Sequence, residues 1–177
     1  MTLSVVEALI AMALIANAGA NATAAGLSPS PDPISLVDST GKAVARPLNE
    51  TIVLVSLGGG GAAPALIRPV YGADGRAASG MATWQSGGSV LFTSADCTAG
   101  GHVYASTHAG LRATAQVQTP AGIILYVGGA GTATTATIQS ILYDTGCAQV
   151  AVRQNGLLPV ASNVNLSTAY PPPLAFQ

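Results

Sequence analysis

The pattern of apolar and polar positions changes character once along the 177-residue chain. From Leu3 to Ala25 the residues are almost all Ala, Leu, Ile, Val and Met. Within that run Leu3, Val6, Leu9, Ile10, Ala13, Leu14 and Asn17 recur at spacings of three and four, which gathers the bulkier side chains on one side of a helix. About 20 such residues would also span a bilayer core. Gly19, Gly26 and the series Pro29, Pro31, Pro33 end the run, because proline lacks the N–H and clashes with the preceding turn. The expected organisation is an apolar N-terminal α-helix over residues 1–27, a Pro-rich linker over 28–33 and a β-rich domain over 34–177.

Beyond the linker the helical period disappears and short β-branched runs take over. The expected strands are Ile34–Asp38, Thr51–Leu57, Ser89–Thr93, His102–Ala105, Ala113–Gln118, Gly122–Val127, Thr137–Tyr143, Gln149–Val152 and Leu157–Val160. Thr51–Leu57 is nearly continuous in apolar character, so a central strand covered on both faces is expected there. Thr137–Tyr143 alternates, with Gln139 opposed to Ile138 and Ile141. Turn-forming stretches separate the runs, and Asn155-Gly156 is the strongest of them, predicting a tight type I′ hairpin because both central residues of that turn need positive φ. This spacing predicts a mainly β fold, an antiparallel sandwich or a small barrel, behind the single N-terminal helix.

Charge alters the picture of what the domain can contact. Only 7% of residues are Asp, Glu, Lys or Arg and the formal net charge is -1, against roughly 25% charged in an ordinary soluble domain. Phosphate binding needs a basic stripe, and none is present, so nucleic acid is not an expected partner. A surface so poor in charge is hydrated by Ser, Thr, Asn and Gln or is covered by other copies of the chain. Cys97 and Cys147, separated by 50 positions, each sit in a polar, turn-prone setting. In an exported chain such a pair predicts a disulfide, which would stabilise the fold by roughly 4 kcal/mol through loop closure.

Residues able to do chemistry are few. His102 and His108 are the only histidines and offer no metal-ligand spacing. Ser94, Asp96 and His102 supply the residue types of a hydrolytic triad without a nucleophile elbow around the serine. Asp38, Glu50, Asp74, Asp96 and Asp144 all stand beside turn residues, where capping is the expected role. Gly58–Gly61 lacks the Lys-Ser/Thr of a phosphate loop. No enzyme activity and no cofactor are expected.

Two resemblances bear on function. Met1-Thr2-Leu3, a further apolar stretch, the single acidic residue Glu7 and a second apolar run resemble the mature N-terminus of type IV pilins and pseudopilins. The acidic residue of that family stands two positions earlier, where this chain has Val5. The resemblance implies a helix that lies in a membrane before assembly and in a filament core afterwards. Leu91-Phe92-Thr93-Ser94-Ala95-Asp96-Cys97, the later Gly146-Cys147 and the closing Pro171–Phe176 are similar to a β domain of uncharacterised bacterial surface proteins. That likeness implies cell-surface location and fold class. The expected protein is an extracellular structural subunit that binds copies of itself through Leu3, Val6, Glu7, Leu9, Ile10 and Leu14. The competing expectation is a secreted or membrane-anchored adhesin or carbohydrate-binding module, whose N-terminal run is a signal or an anchor.

Overall fold

In the computed structural model, residues 34–57, 61–106 and 110–177 are described. The expected helix over 1–27 and the linker lie outside them. The described residues are mainly β, organised as a closed six-stranded antiparallel barrel and a second six-stranded sheet.

The barrel runs β1 (Leu36–Val37), β12 (Leu174–Phe176), β5 (Ala77–Trp84), β4 (Gly61–Tyr71), β3 (Ile52–Leu57) and β2 (Ala43–Pro47), with β2 closing on β1. Alternate residues of each strand face inward, as the two-residue period demands. Val53 and Val55 of β3, Ala63, Ala65 and Ile67 of β4, and Ala82 and Trp84 of β5 meet Leu36 and Leu174 in one core. A six-stranded barrel leaves little interior room, and Ala63, Ala65 and Ala82 fit among its larger lining residues. The expected strand Thr51–Leu57 is therefore not covered on both faces; Val53 and Val55 are buried while Ile52 and Leu54 are only half-buried.

The second sheet has the order β10 (Thr134–Tyr143), β6 (Val90–Phe92), β7 (Gly101–Tyr104), β11 (Gly146–Asn165), β9 (Gly122–Gly128) and β8 (Thr114–Thr119), and β10 also pairs with β11. Pro120 follows Thr119 and Gly122, at φ 115°, closes the β8–β9 turn, the places a tight turn favours for these residues. The expected Asn155-Gly156 hairpin does not form. Gln149–Val152 and Leu157–Val160 belong to the single 20-residue strand β11. Gly156 does take positive φ, 72°, but it does so where the β10–β11 register shifts between Ala136↔Gln154 and Thr134↔Leu157. A glycine of that conformation inserted in a ladder makes a bulge that bends the strand instead of reversing it. After the bend β11 passes from β10 to β7 and then to β9. The reversal lies earlier, at the β10–β11 turn, where Tyr143 faces Gly146.

The chain leaving β11 packs a single helical turn against β9. The single-turn helix α1 (Leu166–Ala169) is capped by Asn165, whose side chain accepts from Thr168 N–H, and it seats Leu166 fully inside the core. The Trp84 indole donates to the Tyr170 carbonyl at 2.9 Å, and the Lys42 ammonium lies 4.5 Å from the Tyr170 ring. The cation above the aromatic face adds a modest attraction.

Candidate functional site

An apolar groove of about 660 Å3 is lined by Ile34, Pro47, Leu48, Pro69, Met81 and Phe176, with Arg46 and Glu50 as its charged members. Three local arrangements build it. Ser35 and Gln177 exchange backbone hydrogen bonds at 2.9 Å in each direction, which sets Ile34 and Phe176 together at the edges of β1 and β12. Asn49 Oδ1 accepts from Thr51 N–H at 2.9 Å and Ile52 N–H at 2.8 Å, an Asx turn that presents Leu48 and Glu50. Gly80, at φ 70°, lets β5 adopt a local conformation that side-chain-bearing residues resist, immediately before Met81. Ile34, Leu48 and Met81 are 64%, 47% and 36% exposed, so large apolar side chains stand together in water at this one place. Chemically the groove can receive an apolar chain and can answer one negative charge through Arg46.

A second groove, of about 540 Å3, lies beside Leu48, Ile52, Tyr104, Arg112 and Gln116. Its most polar deep side chain is already committed. Leu66 N–H donates to Gln116 Oε1 at 2.7 Å, and Gln116 Nε2 donates to the Leu66 carbonyl at 3.0 Å. Gln116 and Gly87 also exchange backbone hydrogen bonds at 2.6 and 2.9 Å. Gln116 is 2% exposed. The amide thus copies the donor and acceptor of a strand and sews β8 to the β4 strand of the barrel.

The two cysteines foreseen from the sequence are joined. Cys97 and Cys147 form a disulfide with their Cα atoms 6.0 Å apart, and among the described residues no cysteine is free. It ties the β6–β7 loop to the start of β11. Cys97 has φ 57°, and its N–H donates to Ser140 Oγ, whose hydroxyl donates to the Ser94 carbonyl at 2.6 Å. A bond of this kind points to an oxidising compartment. The residues assigned to assembly, Leu3, Val6, Glu7, Leu9, Ile10 and Leu14, lie outside the described residues, as does His108.

Ser94, Asp96 and His102 are each engaged locally. The Thr98 hydroxyl donates to Asp96 Oδ1 at 2.6 Å, and this bond, with the Ser94 hydroxyl beside it, holds the Asp96 carboxyl below the usual range. Ser94 Oγ accepts from Ala99 N–H, and His102 Nδ1 bonds the Gly100 carbonyl at 2.8 Å. Among the described residues no group of three His, Cys, Asp or Glu side chains is placed to hold a metal ion. Among the described residues Asp38 is the one buried acid. Its Oδ1 accepts from the Thr40 hydroxyl at 2.6 Å and from the Thr40 and Lys42 amides at 2.8 and 3.0 Å, while Oδ2 is buried without a partner. The Thr40 hydroxyl, opposed by burial and helped by the Lys42 amide, keeps this carboxyl below its ordinary value.

Sequence reasoning passed over Leu48, Met81 and Gln116. Leu48 had a visible signal, an apolar side chain in an otherwise polar turn. Gln116 had another, a polar residue flanked by Ala115 and Val117 in a run that is buried on both faces. Neither protein-family models, nor curated proteins, nor solved structures gave a match to this chain.

Proposed function

We propose that the protein is a structural subunit of an extracellular or cell-surface assembly, in which copies associate through the apolar N-terminal segment and display the disulfide-closed β body. The observation that carries this reading is the contrast between the two parts of the chain. Residues Ala8 to Pro31 contain no charge, whereas the β body is closed by a disulfide and buries its own core. An apolar run of that length does not remain alone in water, so lipid or neighbouring copies cover it. Burying even four of its Leu, Ile and Val side chains contributes on the order of 6–12 kcal/mol before the entropy cost of association. Pilin-like assembly is the specific form of this proposal, with Glu7 as the charge that needs a partner or a proton in an apolar setting.

Deletion of residues 1–25 tests it. The truncated protein is expected to keep the Cys97–Cys147 bond and the β signal in circular dichroism and to run as a monomer in light scattering. A truncated protein that forms the same oligomer as the full chain would refute the assembly role and favour a binding module carried on a dispensable anchor.

A further inference from the structure

The groove of about 540 Å3 along the seam between the barrel and the second sheet carries charge of one sign: of the residues lining it, Arg112 alone is charged. Arg112 is half-buried and, among the described residues, makes no hydrogen bond and no ion pair. Glu50 belongs to the other groove, which shares only Leu48 and Asn49 with this one, and the sequence from Ala105 to Leu111 contains no Asp or Glu. No lining residue answers the guanidinium. The acceptors of the groove are meanwhile engaged. Both amide atoms of Gln116 are spent on Leu66, and the Thr114 hydroxyl donates to the Pro64 carbonyl at 3.0 Å. Asn49 Oδ1 accepts from Thr51 N–H, the Thr51 hydroxyl and Ile52 N–H, which leaves Asn49 Nδ2 as an unused donor. Tyr104, 50% exposed, adds an aromatic ring, and Leu48, Ile52, Pro64, Leu66 and Leu111 supply apolar lining. A volume of this size, mostly apolar and with a few polar groups on one side of the donor–acceptor balance, suits a small molecule.

We propose that this groove binds a small aromatic monocarboxylate, its carboxylate on Arg112 and Asn49 Nδ2 and its ring against Tyr104 and the apolar lining. A carboxylate has two acceptor oxygens and no donor, which matches what the groove has left to offer, and the planar guanidinium fork takes such a group through two parallel hydrogen bonds. A neutral sugar fits less well, because its hydroxyls need acceptors and the groove has spent its own on the fold. A phosphate brings a second negative charge that one guanidinium leaves unanswered. The aromatic body follows from the half-exposed Tyr104 ring, which offers an offset or edge contact to a second ring. Every residue invoked belongs to the β body, so this site stands or falls independently of assembly through the N-terminal segment.

The test uses the full chain, with naphthylacetate and its neutral counterpart naphthylacetamide as probes in saturation-transfer NMR and calorimetry. The acid is expected to bind with a Kd below about 1 mM and the amide about tenfold more weakly. Arg112→Gln removes no internal bond and should abolish that difference by weakening the acid alone. Tyr104→Leu should weaken acid and amide together. Asn49→Asp keeps the oxygen that Thr51 and Ile52 need but turns the donor into a like charge, so the acid should bind about tenfold more weakly or worse. Arg46→Gln, on the other groove, should change neither probe. No binding of the acid, equal binding of acid and amide, or an acid affinity that survives Arg112→Gln would each overturn the proposal. Loss of binding through Arg46→Gln would put the ligand in the other groove and overturn it equally. Comparing the two probes on the wild-type chain requires no substitution, so it decides the matter even where a variant folds poorly.

Discussion

Replacing Gln116 by Leu keeps nearly the same side-chain volume and removes both polar atoms from the seam between barrel and second sheet. The consequences for Leu66 differ at its two ends. Its carbonyl loses Gln116 Nε2 at 3.0 Å but still accepts from Gln85 N–H at 3.1 Å. Its N–H loses Gln116 Oε1 at 2.7 Å, at a depth where Gln116 itself is 2% exposed. Two hydrogen bonds are lost: the one to the still-satisfied carbonyl is worth about 1 kcal/mol, and the other leaves a donor unsatisfied at about 1–3 kcal/mol. The expected destabilisation is thus about 2–4 kcal/mol. Urea unfolding followed by Trp84 fluorescence measures it, because the indole lies in the barrel core and reports the loss of that core. Gln118→Leu is the control. Gln118 is exposed and its amide donates only to the adjacent Thr119 carbonyl, so a change within about 0.5 kcal/mol is expected. If Gln116→Leu is as mild as the control, the seam is not held by this amide and the reasoning is wrong.

Two further outcomes follow from the same geometry. The double substitution Cys97→Ser with Cys147→Ser should lower unfolding free energy by up to about 4 kcal/mol, and a reductant that destabilises the wild type should leave the variant unchanged; equal stability of the two proteins in non-reducing buffer would contradict this. The lowered Asp38 carboxyl binds its proton more tightly in the unfolded than in the folded chain. Its contribution is therefore fully present above the unfolded value and is lost as pH falls below about 4 through the folded one. Asp38→Asn should flatten that acid limb in denaturation midpoints taken from pH 6 downward, and an unchanged limb would show that Asp38 is not linked to stability.

The sequence was informative where side chains are large. Every strand of the second sheet overlaps an expected run, because its buried positions carry β-branched residues such as Val90, Val117 and Ile138, although β11 was expected as two strands joined by a hairpin. The barrel was nearly silent. Only β1 and β3 were expected, while β2, β4, β5 and β12 were not. Ala63, Ala65 and Ala82 fit a narrow interior and carry no strand propensity. Pro64 and Pro69 in β4 further disguise an 11-residue strand, and the ladder tolerates them in part because the register shifts between Pro69 and Tyr71. Asn155-Gly156 misled for a related reason. Positive φ was read correctly at Gly156, but that conformation serves a bulge as well as a turn, and only pairing across β7, β9 and β10 distinguishes them. The disulfide was legible because just two cysteines exist, whereas the first groove was not, since it gathers Ile34, Leu48, Met81 and Phe176 from positions far apart in the chain.

The central claim is that the apolar N-terminal segment assembles this protein, and a single side chain inside it gives the most direct test. Sedimentation velocity of the full chain carrying Leu14→Asp, compared at equal concentration with wild type and with Leu14→Ile, isolates burial of that segment from folding of the β body. An aspartate buried there carries an unpaired charge that costs several kcal/mol or must take up a proton. The account predicts assembled wild type and Leu14→Ile, and monomeric Leu14→Asp with the Cys97–Cys147 bond intact. Leu14→Asp sedimenting with the wild-type oligomer would contradict it.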